Sequence, residues 1–278
     1  MILIPIFKKN NIEINYIKEG EGEPLLLIQG YCGILEGWNY QISYFKEIMT
    51  VIALDFRGVG KSSRPDDPYT IDTFVEDIKD LLDYLDIKEP IHLCGISNGG
   101  FIVQKFALKY TSLVKTLMLF ESSPYVPSDQ YEQQLKFLEQ DFKHLTMEAK
   151  IQMALRAFSP SFRRKLKKNE ELFKRFKDDH GLSTHSNPPR YEDYINHWKA
   201  IEGFDVRKLL HEITQPTLIL LVFKNDKERN ELKALEAIFE KIPNSTIKLL
   251  KGIGHCLIFE APEKTNEIMW NFLKEHMN

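Results

Sequence analysis

A serine with a glycine two positions away on either side, Gly95-Ile96-Ser97-Asn98-Gly99, is a spacing suited to a nucleophile. Its setting carries more information than the motif. The apolar run Ile91-His92-Leu93-Cys94 precedes it, and a helical pattern from Asn98 to Tyr110 follows. A chain that turns this sharply from strand to helix holds the serine in a strained conformation with its hydroxyl exposed. Side chains two residues away would collide across the turn, and glycines at 95 and 99 remove the collision. The backbone N–H of Asn98, at the helix start, can face a developing oxyanion. Without that context, the same five residues would read as a glycine-rich turn.

A serine hydroxyl needs a base, and the base needs an acid to orient it. His255 is the best-placed base, in the loop Lys251-Gly252-Ile253-Gly254-His255 between the strand-like Thr246–Leu250 and the last helix. His92 falls in the strand before the serine and reads as structural. His144, His180, His185 and His197 lie in a helical region, His211 in a helix pattern and His276 near the terminus; none is assigned a role. The acid is expected between serine and histidine in chain order. Asp226 follows the apolar strand that ends at Phe223, which would deliver it to the carboxyl edge of the sheet; Glu228 is the nearby substitute. A turn-forming Asn-Asp pair is the bland alternative. A second oxyanion donor is expected from the loop Gln29-Gly30-Tyr31-Cys32-Gly33, with the N–H of Tyr31 as the candidate.

The elements that must position these groups are legible. Ile12, Ile14 and Tyr16 alternate with polar residues, as in a half-buried antiparallel strand. Pro24–Gln29, Thr50–Asp55, Ile91–Cys94, Val114–Phe120 and Thr217–Phe223 are apolar throughout, as strands covered on both faces are. Helical patterns run over Ile71–Leu85, Asn98–Tyr110 and Pro262–Met277. Strands alternating with helices define an α/β chain with a mostly parallel, doubly wound sheet. The alternation stops over 123–202, which lacks strands and reads as an inserted helical cap on a core of 1–122 and 203–278. Within it, Phe162–Lys168 and Leu172–Lys177 interleave apolar and basic residues, the pattern of an amphipathic helix. A solvated outer face is the plain reading, and contact with a membrane surface or acidic carrier is the sharper one.

Composition narrows the classes. The 278 residues are 43% hydrophobic with a formal net charge of −3, enough for a large core and too nearly neutral for a nucleic-acid partner. The apolar start Met1–Phe7 is short and its lysines follow it, unlike a secretory signal, and no apolar run reaches membrane-spanning length. A cytoplasmic location without stable membrane insertion is expected. Cys32, Cys94 and Cys256 match no zinc or redox spacing and read as free thiols. Each falls beside a catalytic segment, so thiol sensitivity is one reading and apolar packing the plainer one. No metal or cofactor is expected.

Together these pieces resemble the α/β-hydrolase superfamily over nearly the whole chain outside the cap. Asp55-Phe56-Arg57-Gly58-Val59-Gly60-Lys61-Ser62 is similar to the family's D-x-R-G-x-G-x-S loop. His255 to Glu263 is similar to its G-H-x4-E-x-P-E ending, and Pro216-Thr217-Leu218-Ile219 to the strand that delivers the acid. The resemblance implies a triad of Ser97, Asp226 and His255, with the N–H groups of Tyr31 and Asn98 as oxyanion donors. The elbow Cys94–Gly100, with Gln104 following, is also similar to that of enol-lactone hydrolases. The chain departs from the family where His-Gly is Gln29-Gly30, where a frequent histidine is Ile96, and where the acid strand lacks its usual glycine. The expected activity is cleavage of a small carboxylic ester through an acyl-enzyme. Lactone or carbon–carbon bond hydrolysis on the same triad is the alternative, and a ligand receptor of the same fold is the non-enzyme reading.

Overall fold

The computed structural model describes residues 5–183 and 187–277; the Met1–Ile4 part of the apolar start and His185 lie outside them. Eight strands form one sheet: β1 (Ile6–Lys9), β2 (Ile12–Glu19), β3 (Pro24–Ile28), β4 (Thr50–Leu54), β5 (Ile91–Ile96), β6 (Val114–Phe120), β7 (Thr217–Phe223) and β8 (Ser245–Lys251). Their spatial order is β1-β2-β4-β3-β5-β6-β7-β8. Strands β1 and β2 form a hairpin, β2 joins β4 antiparallel, and every pairing from β4 to β8 is parallel.

Alternate residues of the parallel strands feed two separate cores. Leu26, Leu93, Leu117, Leu119 and Ile219 point to one face, where they meet α2 (Ile71–Tyr84), α3 (Asn98–Lys109) and α9 (Asp226–Phe239). Leu27, Cys94, Met118, Phe120 and Leu218 point to the other, against α1 (Asn39–Phe45), the short α10 (Leu257–Glu260) and α11 (Pro262–Leu273). Burial on both faces is why these strands read as unbroken apolar runs. The terminal helix stops at Leu273, earlier than the sequence pattern indicates.

Between β6 and β7 the described residues of the chain make five α-helices: α4 (Ser128–Gln140), α5 (Met147–Leu155), α6 (Pro160–Lys168), α7 (Glu170–Asp179) and α8 (Tyr191–Lys199). Its two ends are stapled where they leave the sheet. Tyr125 pairs with Asp205 as an antiparallel bridge, with Val126 N–H bonded to the Phe204 carbonyl and Val206 N–H to that of Pro124. The amphipathic pattern is two helices, broken at Asn169, whose side chain caps α7 by accepting from Leu172 N–H. Their apolar residues Phe162, Leu166 and Phe176 are buried with Phe158 and Phe259, so the apolar stripe is already covered within the chain. Among the described residues, no helix is long and apolar enough to cross a membrane.

Polar ties hold this insert on the sheet. Asp193, fully buried, pairs with Arg64 and Arg190. His197 Nε2 lies 2.8 Å from the Arg57 carbonyl; within the insert itself, His180 Nδ1 lies 2.9 Å from the Phe176 carbonyl one turn earlier in α7. A carbonyl only accepts, so each of those ring nitrogens carries a proton. Burial holds both imidazoles down to about 4. Both are therefore neutral in the fold, while an unfolded chain takes up their protons as pH drops below the ordinary value of 6.5. Stability from this source is complete above that value and is lost on the way down to about 4. Urea unfolding measured from pH 7 to pH 4 is expected to show a falling unfolding free energy, and His180→Phe is expected to flatten that slope.

Candidate active site

Ser97 follows the last residue of β5, in the middle of the sheet, and precedes the first residue of α3. Its backbone sits at φ 54°, ψ −123°, a conformation L-residues seldom adopt. Neighbours hold it there. Ser97 N–H donates to the Phe120 carbonyl (2.8 Å), and the Ser97 carbonyl accepts from Gly100 N–H and Ser122 Oγ (both 2.9 Å). The flanking glycines are required by close approach. A side chain at Gly95 would strike the Gly99 backbone, and one at Gly99 would sit 2.5 Å from the carbonyls of Ile28 and Gln29. The turn is thus wedged between its own helix and the end of β3. Gln104 is buried and structural, its amide donating to the carbonyls of Gly100 and Ser123.

The loop after β3 comes close to the serine. A Cβ at Gly30 would lie 3.0 Å from Ser97 Cβ and 3.6 Å from its Oγ, so only a glycine leaves that approach open. Gln29, where the family usually has histidine, folds its side chain back along Gly33 and Gly37 and accepts from Gly30 N–H at 2.9 Å. Tyr31 sends its hydroxyl to the Tyr194 carbonyl of α8 (2.7 Å), tying this loop to the insert. The far end of the loop is pinned by buried Asp55, which accepts from Leu35 N–H, Lys61 N–H and Asn15 Nδ2. Burial raises its pKa, and those three bonds oppose the rise. This is the physical content of the Asp55–Ser62 motif. Asn98, as the first residue of α3, has an N–H with no acceptor inside the helix.

His255 lies beyond β8, and its partner is not the expected one. Its Nδ1 is 3.1 Å from Oε2 of Glu121. Glu121 directly follows β6, at φ 47°, and its other oxygen, Oε1, accepts from Val222 N–H of β7 at 2.6 Å. Asp226 is instead exposed in the first turn of α9, where Asn225 caps the helix through Glu228 N–H. Glu228 is used locally, accepting from Lys224 N–H (2.7 Å) and Asn225 Nδ2. The chain leaving β7 thus closes into a capping turn, and the neighbouring strand end supplies the carboxylate. The sequence signal for Glu121 was present, since it is the residue after the apolar run Val114–Phe120. Its left-handed backbone, which aims it at the histidine, has no signature in residue type.

The histidine loop is fixed by Glu260. Its carboxylate accepts from Gly254 N–H (3.0 Å) and from Ser159 N–H of the insert (2.9 Å), and it bonds Ser159 Oγ as well. His92 is structural, as expected: it is fully buried and held between Thr116 Oγ1 (2.8 Å) and Glu23 Oε2 (2.9 Å).

Ser97, Gly30, Tyr31 and His255 all line one cavity of about 370 Å³, roofed by residues of the insert. Asn98 is on the wall of a neighbouring hollow with Trp198 and Val126. Cys32 and Cys256 line the cavity, and Cys94 is buried in β5. Burial pushes the Cys256 thiol up to about 12 and those of Cys32 and Cys94 well above the usual range. All three are therefore poor nucleophiles near neutral pH. Among the described residues no cluster of three or more His, Cys, Asp or Glu could hold a metal ion.

Residues 23–262 match the family model described as the alpha/beta hydrolase fold, and the chain belongs to that family. Its relatives support hydrolysis as the activity. It is 28% identical to 3-oxoadipate enol-lactonase 2 of Acinetobacter baylyi over 95% of this chain and 94% of that protein. It is also 28% identical to human epoxide hydrolase 4, over 96% of this chain and 77% of that one. A thermophilic esterase from Thermogutta terrifontis shares the fold with a TM-score of 0.82 at 22% identity, covering 99% and 98% of the two chains.

The Glu260 contacts carry a direct consequence. Glu260→Gln removes the charge that three donors share, and is expected to cost about 1–3 kcal/mol of stability. Guanidinium unfolding midpoints of the two proteins check it.

Proposed function

We propose that the protein hydrolyses small carboxylic esters or lactones through an acyl-enzyme on Ser97, with His255 as base and Glu121 as the orienting acid. The contact between His255 Nδ1 and Glu121 carries this reading, because it fixes the imidazole. A carboxylate only accepts, so Nδ1 holds the proton and Nε2 keeps a lone pair for the serine hydroxyl. His255 Nε2 takes the proton as Ser97 Oγ bonds to the carbonyl carbon. The N–H groups of Tyr31 and Asn98 stabilise the tetrahedral oxyanion. Collapse expels the alcohol, which leaves with the proton from His255. Water, deprotonated by the same nitrogen, then releases the acid and restores Ser97. A lactone follows the same steps, its alcohol and acid remaining in one product.

The chemistry of the nucleophile favours an acyl substrate over an epoxide. Attack of a serine hydroxyl on an epoxide would leave an alkyl ether, which has no carbonyl for water to attack. Attack on an ester or lactone leaves an acyl-serine that water can cleave.

Glu121→Ala is expected to lower turnover of p-nitrophenyl butyrate by about 10³–10⁴-fold, in line with loss of the acid in other triads. Asp226→Ala is expected to stay within about threefold of the parent, since exposed substitutions away from the site change little. A drop on Asp226→Ala with Glu121→Ala active would reverse the assignment. Ser97→Ala is expected to abolish both this turnover and labelling by a fluorophosphonate probe. A wild-type chain that takes no label would favour a receptor of the same fold.

A further inference from the structure

One charged group in the cavity has no use in that mechanism. Lys150, on α5, lines the cavity beside Phe142 and Tyr194. Its Nζ stands 4.6 Å from the Phe142 ring centroid and 5.4 Å from that of Tyr194. Two ring faces give an ammonium partial compensation for lost water, but far less than an anion would. Among the described residues no carboxylate pairs with it; the carboxylate that lines the cavity, Asp179, is held by Asn39 Nδ2 (2.8 Å) and Arg175 Nε (3.2 Å). Burial alone shifts Lys150, and it shifts it downward, as expected for a cation without a counter-ion. His180, on the same wall, is neutral and adds no charge.

The position of this cation relates it to the reacting centre. Tyr194, under the ammonium, packs its ring 6.0 Å from that of Tyr31, whose backbone N–H is the proposed oxyanion donor. The charge is therefore linked to the carbonyl site through the rings of Tyr194 and Tyr31, and it lines the same cavity as Ser97.

We propose that the substrate carries a carboxylate on its acyl portion and that Lys150 pairs with it, so that the natural substrate is a half-ester of a short dicarboxylic acid or a lactone bearing a carboxylate. This rests on the ester and lactone reading above and narrows it. A single ammonium matches a monoanion. A phosphate dianion would leave a charge uncompensated in the same apolar wall.

The test compares p-nitrophenyl hemiglutarate with neutral p-nitrophenyl pentanoate. The wild type is expected to favour the hemiester by about tenfold or more in kcat/KM, mostly through KM, the usual range for a hydrogen bond to a charged group. Lys150→Met is expected to bring the ratio to near parity, and Lys150→Arg to keep the preference. A wild type that treats both esters alike, or a Lys150→Met variant that keeps the preference, overturns the proposal while leaving ester hydrolysis intact. Binding separates the two readings should neither ester turn over. Calorimetric titration of Ser97→Ala with monomethyl glutarate and with methyl pentanoate then reads charge selectivity alone. Selectivity that disappears when Lys150→Met is added supports the proposal, and equal binding of the two compounds overturns it.

Discussion

The carboxylate of Glu121 is the contact on which the arrangement turns. One oxygen takes the Val222 N–H of β7 and the other faces His255 Nδ1, so a single side chain joins two adjacent strands to the loop beyond β8. The first bond makes the second one specific. A carboxylate anchored to a strand N–H has little freedom left, and the imidazole it touches inherits that order. Glu121 N–H also bonds the Leu220 carbonyl, so the residue still belongs to the sheet while its φ of 47° turns the side chain out of strand register. Conformational strain there and at Ser97 is concentrated at the ends of adjacent strands, and the doubly buried sheet supplies the packing that tolerates it.

The helical insert is part of the same construction. Glu260 joins Gly254, the residue before His255, to Ser159 in the insert, and Tyr31 joins the loop after β3 to Tyr194. The two loops that flank Ser97 are thus each tied to the roof of the cavity. A change in the insert that displaced either contact would move a loop beside Ser97 along with the cavity wall. On the proposed reading, binding selectivity and reaction geometry would share these residues.

Much of this was legible in the sequence, and the reasons differ by element. Both-face burial wrote the parallel strands as apolar runs, and β2 was marked by the alternation of Ile12, Ile14 and Tyr16 with polar residues, although Asn15 between them is buried too. The elbow could be read because steric exclusion demands glycine at 95 and 99, a demand visible in residue type. His255 could be read because a glycine loop after a strand is local. The carboxylate that faces His255 was not legible in the same way. Asp226 and Glu121 each follow a strand, and chain order admits both. The choice depends on φ at residue 121 and on the local use of Asn225 and Glu228 in capping α9, which are properties of the folded backbone. The amphipathic stripe was read as one helix and is two, and what covers it was hidden for a related reason: Phe259, nearly a hundred residues further on, packs on Phe162 and Phe176, and no local pattern announces so distant a partner.

Electrostatics in the cavity then follow from which charges the fold has already spent. Glu121 faces His255 and Val222, Asp179 faces Asn39 and Arg175, and Glu260 accepts from two backbone N–H groups and the Ser159 hydroxyl. Each of these acids is neutralised or bonded by the structure itself. Lys150 is the basic side chain in the cavity wall whose compensation comes from ring faces alone among the described residues. A folded protein can tolerate such a group because the rings and residual solvent bear part of the cost. The remaining deficit is what an anionic ligand relieves, and that relief is available only where the cavity admits the ligand. On the proposed reading, Lys150 and the paired acids describe one feature, a site that is polar around Ser97 and His255 and positively biased where an anionic part of the substrate would rest.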